Sequence, residues 1–229
     1  MNKHHSQGKG AYILGCAATR LSGSEKDFYR DCDPFGFILF ARNIESKDQL
    51  SALTDALRSA VGWYAPIFID QEGGRVQRLR APLAREWPAP LDHVLEAGAQ
   101  ARDIIFARYA VIANELKSFG ITANCIPTAD VARDTTHPVL KNRCLGQSAE
   151  IVSEMALAAA QGLLEGGVLP VMKHMPGHGL AELDSHLQAP HTDVSLDRLE
   201  QVDFEPFRAL NQLLMGMTAH VIYEAIDPE

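Results

Sequence analysis

The chain has 229 residues, 46% of them hydrophobic and 22% charged, with 17 Gly and 12 Pro, a globular composition that excludes collagen-like, low-complexity and disordered chains. Its 21 Lys+Arg against 29 Asp+Glu leave a net charge of −8 without long runs of one sign, so an electrostatic footprint for nucleic acid or an anionic membrane is missing. A small-molecule partner is expected, with no nucleic acid and no membrane.

The polar start MNKHHSQGKG reads as a flexible N-terminus over residues 1–10, and the apolar AYILGCAA after it is too short to span a bilayer and lacks a clear signal-peptide pattern. Cys16, Cys32, Cys125 and Cys144 contain no close pair of the kind that structural zinc or a redox motif needs. They read as reduced, mostly buried thiols in a cytoplasmic protein.

Short apolar runs begin at Ala11 (AYILGCA), Phe35 (FGFILF), Ala65 (APIFID), Ile121 (ITANCIP), Val168 (VLPVMKH) and Met215 (MGMTAHVIY). Near-continuous apolarity of that length suits strands buried on both faces, as in a parallel sheet. Helical periodicity fills the intervals. Ser46-Lys-Asp-Gln49 has capping-box form ahead of Leu50, Leu53, Leu57 and Val61. A stripe of Ile105, Tyr109, Ile112, Leu116 and Phe119 predicts a helix from about Gly98, stopped at Gly120. Ser148 precedes Ile151, Met155, Ala159 and Leu163, closed by Gly166-Gly167, and Ser195 precedes Leu196, Leu199 and Val202, with a second helical start at Pro206.

Strand–helix alternation implies right-handed βαβ crossovers, in a closed barrel or an open doubly wound sheet. The first strand lacks a G-x-G-x-x-G turn and no P-loop follows any strand, so nucleotide binding has no support and the α/β reading is a (β/α)8 TIM-barrel type. No repeat, linker or composition break divides residues 1–229, so one domain is expected. The strand starts average about 41 residues apart, so the chain holds about six βα units, and a complete barrel would need roughly 80 residues more. The expectation is a barrel truncated after those six.

The run Ile69-Asp-Gln-Glu-Gly-Gly-Arg-Val-Gln-Arg78 leaves the third strand with two carboxylates, two glycines and two arginines. Asp70 and Arg78 suit gripping hydroxyls or a carbonyl through charge-assisted bonds, and the run suits equally a solvated turn stapled by an Asp–Arg pair. The fifth strand ends in Lys173-His-Met-Pro-Gly-His-Gly179, with Asp184-Ser-His186 five residues on. An imidazole titrates near neutrality, and a carboxylate two residues away can hold one tautomer, so His186 with Asp184 is the candidate acid/base pair. A metal site from His174, His178, Asp184, His186 and His191 is the rival, opposed by the lack of H-E-x-x-H and by the charge of Lys173. Histidines merely satisfied within the barrel are a third reading. His220 reads as a packed, hydrogen-bonded barrel histidine that could instead line the same mouth, and Trp63 and Trp87 as packing residues or a sugar-stacking platform.

Taken together, IDQEGGRVQRLR, KNRCLG, KHMPGHG with DSH, and MTAHVIY resemble the bacterial β-N-acetylglucosaminidases of glycoside hydrolase family three that act in peptidoglycan recycling, collinearly from about Tyr12 to Pro228. The resemblance implies that Asp70, Arg78, Arg143, Lys173 and His174 hold an N-acetylglucosamine unit, that His186 is the general acid/base with Asp184 as its partner, and that no cofactor or metal is needed. It implies retaining hydrolysis of a cytoplasmic muropeptide fragment, N-acetylglucosaminyl-1,6-anhydro-N-acetylmuramic acid with or without peptide. A carboxylate attacks the anomeric carbon, and His186 protonates the leaving oxygen and then deprotonates water. A histidine in that role departs from the usual pair of carboxyl groups and repels anions less, which keeps phosphate open as an alternative acceptor. Met175 and Cys144 depart from the family's usual aromatic and small or polar residues. The family's aspartate nucleophile, in a Ser-Asp-Asp segment after the seventh strand, has no counterpart up to Glu229, and Asp227 belongs to a different Asp-Pro turn. A non-catalytic or vestigial N-acetylglucosamine-binding barrel is therefore the alternative.

Overall fold

The structure, a computed structural model, describes residues 10–180 and 190–227. The strands of its barrel-type sheet are β1 (Gly10–Gly15), β2 (Pro34–Leu39), β3 (Ile67–Ile69), β4 (Ala123–Asn124), β5 (Leu169–Pro170), β6 (Met172–Met175) and β7 (Gly216–Thr218), and a separate short parallel pair joins His191–Thr192 to Ile222–Tyr223. β1 to β5 pair in sequence order, and β7 pairs with β6. β5 and β6 are one strand position interrupted at Val171, whose N–H points back to the carbonyls of Asn124 and Ile126 at 3.0 and 2.9 Å. The intervals hold α1 (Gly23–Cys32), α2 (Lys47–Val61), α3 (Pro90–Ala97), α4 (Ala101–Ser118) and α5 (Ala149–Glu165). Six parallel strand positions with helices between them make this the TIM-barrel-type α/β fold that the sequence predicts.

Strand alternation divides the apolar side chains between two cores. Ile67 and Ile69 join Leu50, Leu53, Leu57, Ile105 and Ile112 under the helices, while Phe68 between them packs with Ala123 and Val171 on the inner face. β1 departs from the doubly buried expectation: Tyr12 and Ile13 are 41% and 38% exposed. Among the described residues β1 pairs only with β2, and β7 only with β6. Gly10 belongs to β1 and its N–H reaches Asp33 O at 3.1 Å, which removes it from the expected flexible N-terminus, whose other residues lie outside the described ones.

Local chemistry accounts for the helix ends. α1, which the apolar periodicity does not reveal, is set by a capping box in which the Ser22 side chain accepts from Glu25 N and Glu25 accepts from Ser22 N. At α2 Ser46 accepts from Gln49 N, but Gln49 accepts from Glu45 N at 2.8 Å, so the return bond falls one residue before the cap. Ser148 caps α5 as expected, whereas Ser195 makes no side-chain cap bond. Ile151 is 45% exposed, on the solvent face rather than the packed stripe. Pro206 opens the short helix Glu205–Ala209. The four thiols are free, with Cys16, Cys125 and Cys144 buried and Cys32 half-buried. Among the described residues no helix is long and apolar enough to cross a membrane.

α4 and α5 pack closely because α5 presents small residues, including Ala156, Ala159, Ala160 and Gly162. A Cβ at Gly162 would stand 2.3 Å from the Phe106 carbonyl oxygen. Ala ordinarily stabilises a helix interior by about 1 kcal/mol relative to Gly. Here overpacking reverses the sign, and Gly162→Ala is expected to lower stability by about 1–3 kcal/mol in urea unfolding.

Candidate active site

β3 delivers Asp70 to its carboxyl end, and β4 fixes the next residue, Gln71. The Asn124 side chain accepts from Gln71 N at 2.9 Å and donates to Gln71 O at 3.0 Å. The Gln71 side-chain oxygen accepts from the N–H groups of Arg78 and Leu79, both at 3.0 Å, closing the loop that contains the hairpin Gln71–Gly73 with Val76–Gln77. Beneath it the buried Arg108 donates to Glu72 O at 2.5 Å and Pro88 O at 2.9 Å. Gly73 has φ +113, and a Cβ there would lie 1.9 Å from Arg108 Nη2, so this position requires glycine. The Asp70–Arg78 pair exists and the tip of the turn is exposed at Arg75, whereas Gln71, Glu72 and Gly73 are buried.

An alternating chain of charges runs inward from that pair. Asp70 accepts from Arg78 Nη2 at 2.9 Å and from Lys173 Nζ at 3.1 Å. Lys173 Nζ lies 2.5 Å from Glu72 Oε1, and Arg143 holds Glu72 in a fork, Nε to Oε2 at 2.9 Å and Nη2 to Oε1 at 2.8 Å. Lys173 and Glu72 have side-chain exposures of 1% and 0%, so these are desolvated pairs. Burial would raise the Asp70 carboxyl, but Lys173 and Arg78 outweigh it and hold it at about 2. Burial opposes ionisation of Glu72 too, and Lys173 with Arg143 bring it below its usual range. Lys173 is displaced upward, the burial penalty being exceeded by Glu72 and Asp70.

The histidine-bearing turn after β6 is anchored by Asp130, which is fully buried. Asp130 Oδ2 lies 2.7 Å from His174 Nδ1, and Oδ1 accepts from His178 N at 2.7 Å and His174 N at 3.3 Å. Burial is countered by these groups, and the carboxyl is lowered and ionised. An ionised carboxylate only accepts, so His174 Nδ1 carries a proton. The turn is backed by Tyr223, whose hydroxyl donates to Gly177 O at 2.6 Å, and by Asp203, forked to Arg133 with both bonds at 2.8 Å.

Asp70, Arg78, Arg143, Lys173 and His174, five residues from three separate segments, line one cavity of about 430 Å³ together with Arg75, Val76, Val139 and Met217. Asp184 and His186 lie outside the described residues. Glu72, Asp130 and Asn124 sequence reasoning did not assign, although Glu72 stood in the motif it singled out. His191 pairs with Glu224 at 3.3 Å on the surface, and among the described residues no group of three or more His, Cys, Asp or Glu side chains is placed to hold a metal. His220 is exposed, correcting its reading as a packed histidine. Trp63 and Trp87 pack half-buried against the core and do not line this cavity.

Residues 24–229 match the sequence profile described as "Glycosyl hydrolase family 3 N terminal domain". A β-hexosaminidase of Alkalilimnicola ehrlichii is 39% identical over 226 residues, covering 96% of this chain and 64% of that protein. One from Neisseria gonorrhoeae is 36% identical over 227 residues, covering 96% of this chain and 62% of the relative. The chain thus spans a little under two thirds of the length of these curated relatives. Among solved structures, NagZ from Neisseria gonorrhoeae in complex with N-trifluoroacetyl-D-glucosamine superposes with a TM-score of 0.90 at 34% identity, covering 97% of this chain and 67% of that one.

The depressed Asp70 carboxyl makes stability depend on acid. Asp70 stays ionised in the fold to about pH 2 against an ordinary value of 3.8, so between those values the unfolded chain binds more protons. The stabilisation is complete above the unfolded value and is lost as pH falls through the folded one; Glu72 and Asp130 add in the same direction. Urea midpoints are expected to fall steeply from about pH 4 to pH 2, and Asp70→Asn to flatten that slope.

Proposed function

Since the chain belongs to glycosyl hydrolase family 3, we propose that it serves a retaining β-N-acetylglucosaminidase acting on muropeptide fragments in peptidoglycan recycling. The observation that carries this reading is the cavity itself, where an ionised carboxylate, three guanidinium groups, an ammonium and an imidazole converge within about 430 Å³. Mixed acceptors and donors of fixed orientation match the hydroxyls and acetamido group of a pyranose. Asp70 accepts from sugar hydroxyls, and Arg78, Arg143 and Lys173 donate to sugar oxygens. The His174 ring, held through Nδ1 by Asp130, offers Nε2. The ion pairs hold these groups in place before the sugar arrives, so little of the binding energy is spent on ordering them.

In that reaction an enzyme carboxylate attacks the anomeric carbon while His186, with Asp184 as its partner in this reading, protonates the departing glycosidic oxygen, and water, giving its proton to His186, then displaces the carboxylate. The nucleophile is unassigned. The similarity to a protein solved with an N-acetylglucosamine derivative supports the sugar, and four free thiols support a reducing, cytoplasmic compartment.

The reading is tested by N-acetylglucosamine binding to this chain and by nitrophenol release from 4-nitrophenyl N-acetyl-β-glucosaminide by the native gene product. Binding is expected to weaken at least tenfold in Arg143→Ala, which loses a charged donor. Turnover is expected to fall about 10²- to 10⁴-fold in His186→Ala, more for poor leaving groups than for good ones. Binding without turnover would favour the non-catalytic alternative, and the absence of both binding and release would contradict the sugar assignment.

A further inference from the structure

Arg75 lies on the wall of the same cavity and has no part in the charge chain that links Arg78, Asp70, Lys173, Glu72 and Arg143. Gly73 pairs with Val76 across the hairpin, which leaves Gly74 and Arg75 as its tip. That tip is held from three sides. Gly74 N donates to Trp87 O at 2.8 Å, Arg80 donates to Gly74 O at 2.8 Å, and Arg75 Nη2 donates to Val139 O at 2.9 Å. The exposed Arg75 side chain is therefore held on the cavity wall, while Lys173, which lines the same cavity, is buried.

Its charge is not compensated there. Arg78, Lys173 and Arg143 bond to Asp70 or Glu72, but among the described residues no carboxylate lies within ion-pair distance of Arg75, whose side chain bonds only to a neutral carbonyl. Among the described residues four cations thus face two carboxylates, and the surplus is carried by the exposed Arg75. A guanidinium bound through one nitrogen keeps further donors for a carboxylate.

From this we infer that Arg75 is a specificity-determining residue that reads an anionic group, a carboxylate, on the unit attached to the bound N-acetylglucosamine. The inference rests on the sugar reading of the cavity. Because Arg75 is exposed, the pair it makes is screened by salt and contributes about two- to fivefold in affinity.

The experiment compares binding of N-acetylglucosaminyl-β-1,4-N-acetylmuramic acid and of its methyl ester by calorimetry, with free N-acetylglucosamine in parallel. The unaltered chain is expected to prefer the acid about two- to fivefold at low salt and to lose most of that preference at 0.5 M salt. Arg75→Gln is expected to bring the ratio to about one, and Arg75→Lys to retain part of it. Equal affinity for acid and ester in the unaltered chain, or an unchanged ratio in Arg75→Gln, overturns the inference and leaves the sugar reading intact. Failure to bind N-acetylglucosamine itself overturns the sugar reading, and this inference with it.

Discussion

Glu72 is the group on which the arrangement turns. Its carboxylate is fully buried, and such a charge is tolerated only when matched by partners of good geometry. The partners come from far along the chain, Lys173 from β6 and Arg143 from the segment before α5. Satisfying one buried charge therefore brings three strand-end segments together. The outward-facing sides of the same cations then line the cavity with Asp70 and Arg78. Replacing Glu72 by an apolar residue would relieve its own desolvation but leave Lys173 with Asp70 alone and Arg143 without its fork.

The fold supplies the frame for this. Parallel strands all end at the same rim, so Asp70, Asn124 and the Lys173-His174 pair arrive together without long loops. Apolar alternation fixes each strand's register against the helices, and polar residues concentrate where the strands stop. Two further constraints sharpen the rim: Gly73 accepts the close approach of Arg108, and Asp130 gathers the N–H groups of His174 and His178 onto one oxygen.

Much of this was readable from the residues. The apolar runs and the α2, α4 and α5 stripes were legible because burial enforces periodicity, and the KHMPGHG and DQEGGRVQR segments stood out because charge is dense where a strand ends. α1 escaped the periodicity argument because Tyr29 is its only buried residue; its signal was the Ser22…Glu25 spacing. Asp130 and Asn124 carried no local mark, since their roles depend on partners over forty residues away that only the fold brings near. Glu72 was visible as a carboxylate, but its burial and its fork to Arg143, 71 residues on, were not. His220 and Ile151 went the other way, since an apolar neighbourhood in sequence did not become burial in space.

The central claim is that Glu72 and Arg143 act as a coupled buried pair that sets the site before any ligand binds. A double-mutant cycle in urea unfolding with Glu72→Gln, Arg143→Gln and the double variant tests it most directly. Glu72→Gln alone is expected to cost about 3–5 kcal/mol, because it strands buried cations. The double variant is expected to fall short of the sum of the two single losses by about 2 kcal/mol or more. Additive losses would contradict the account.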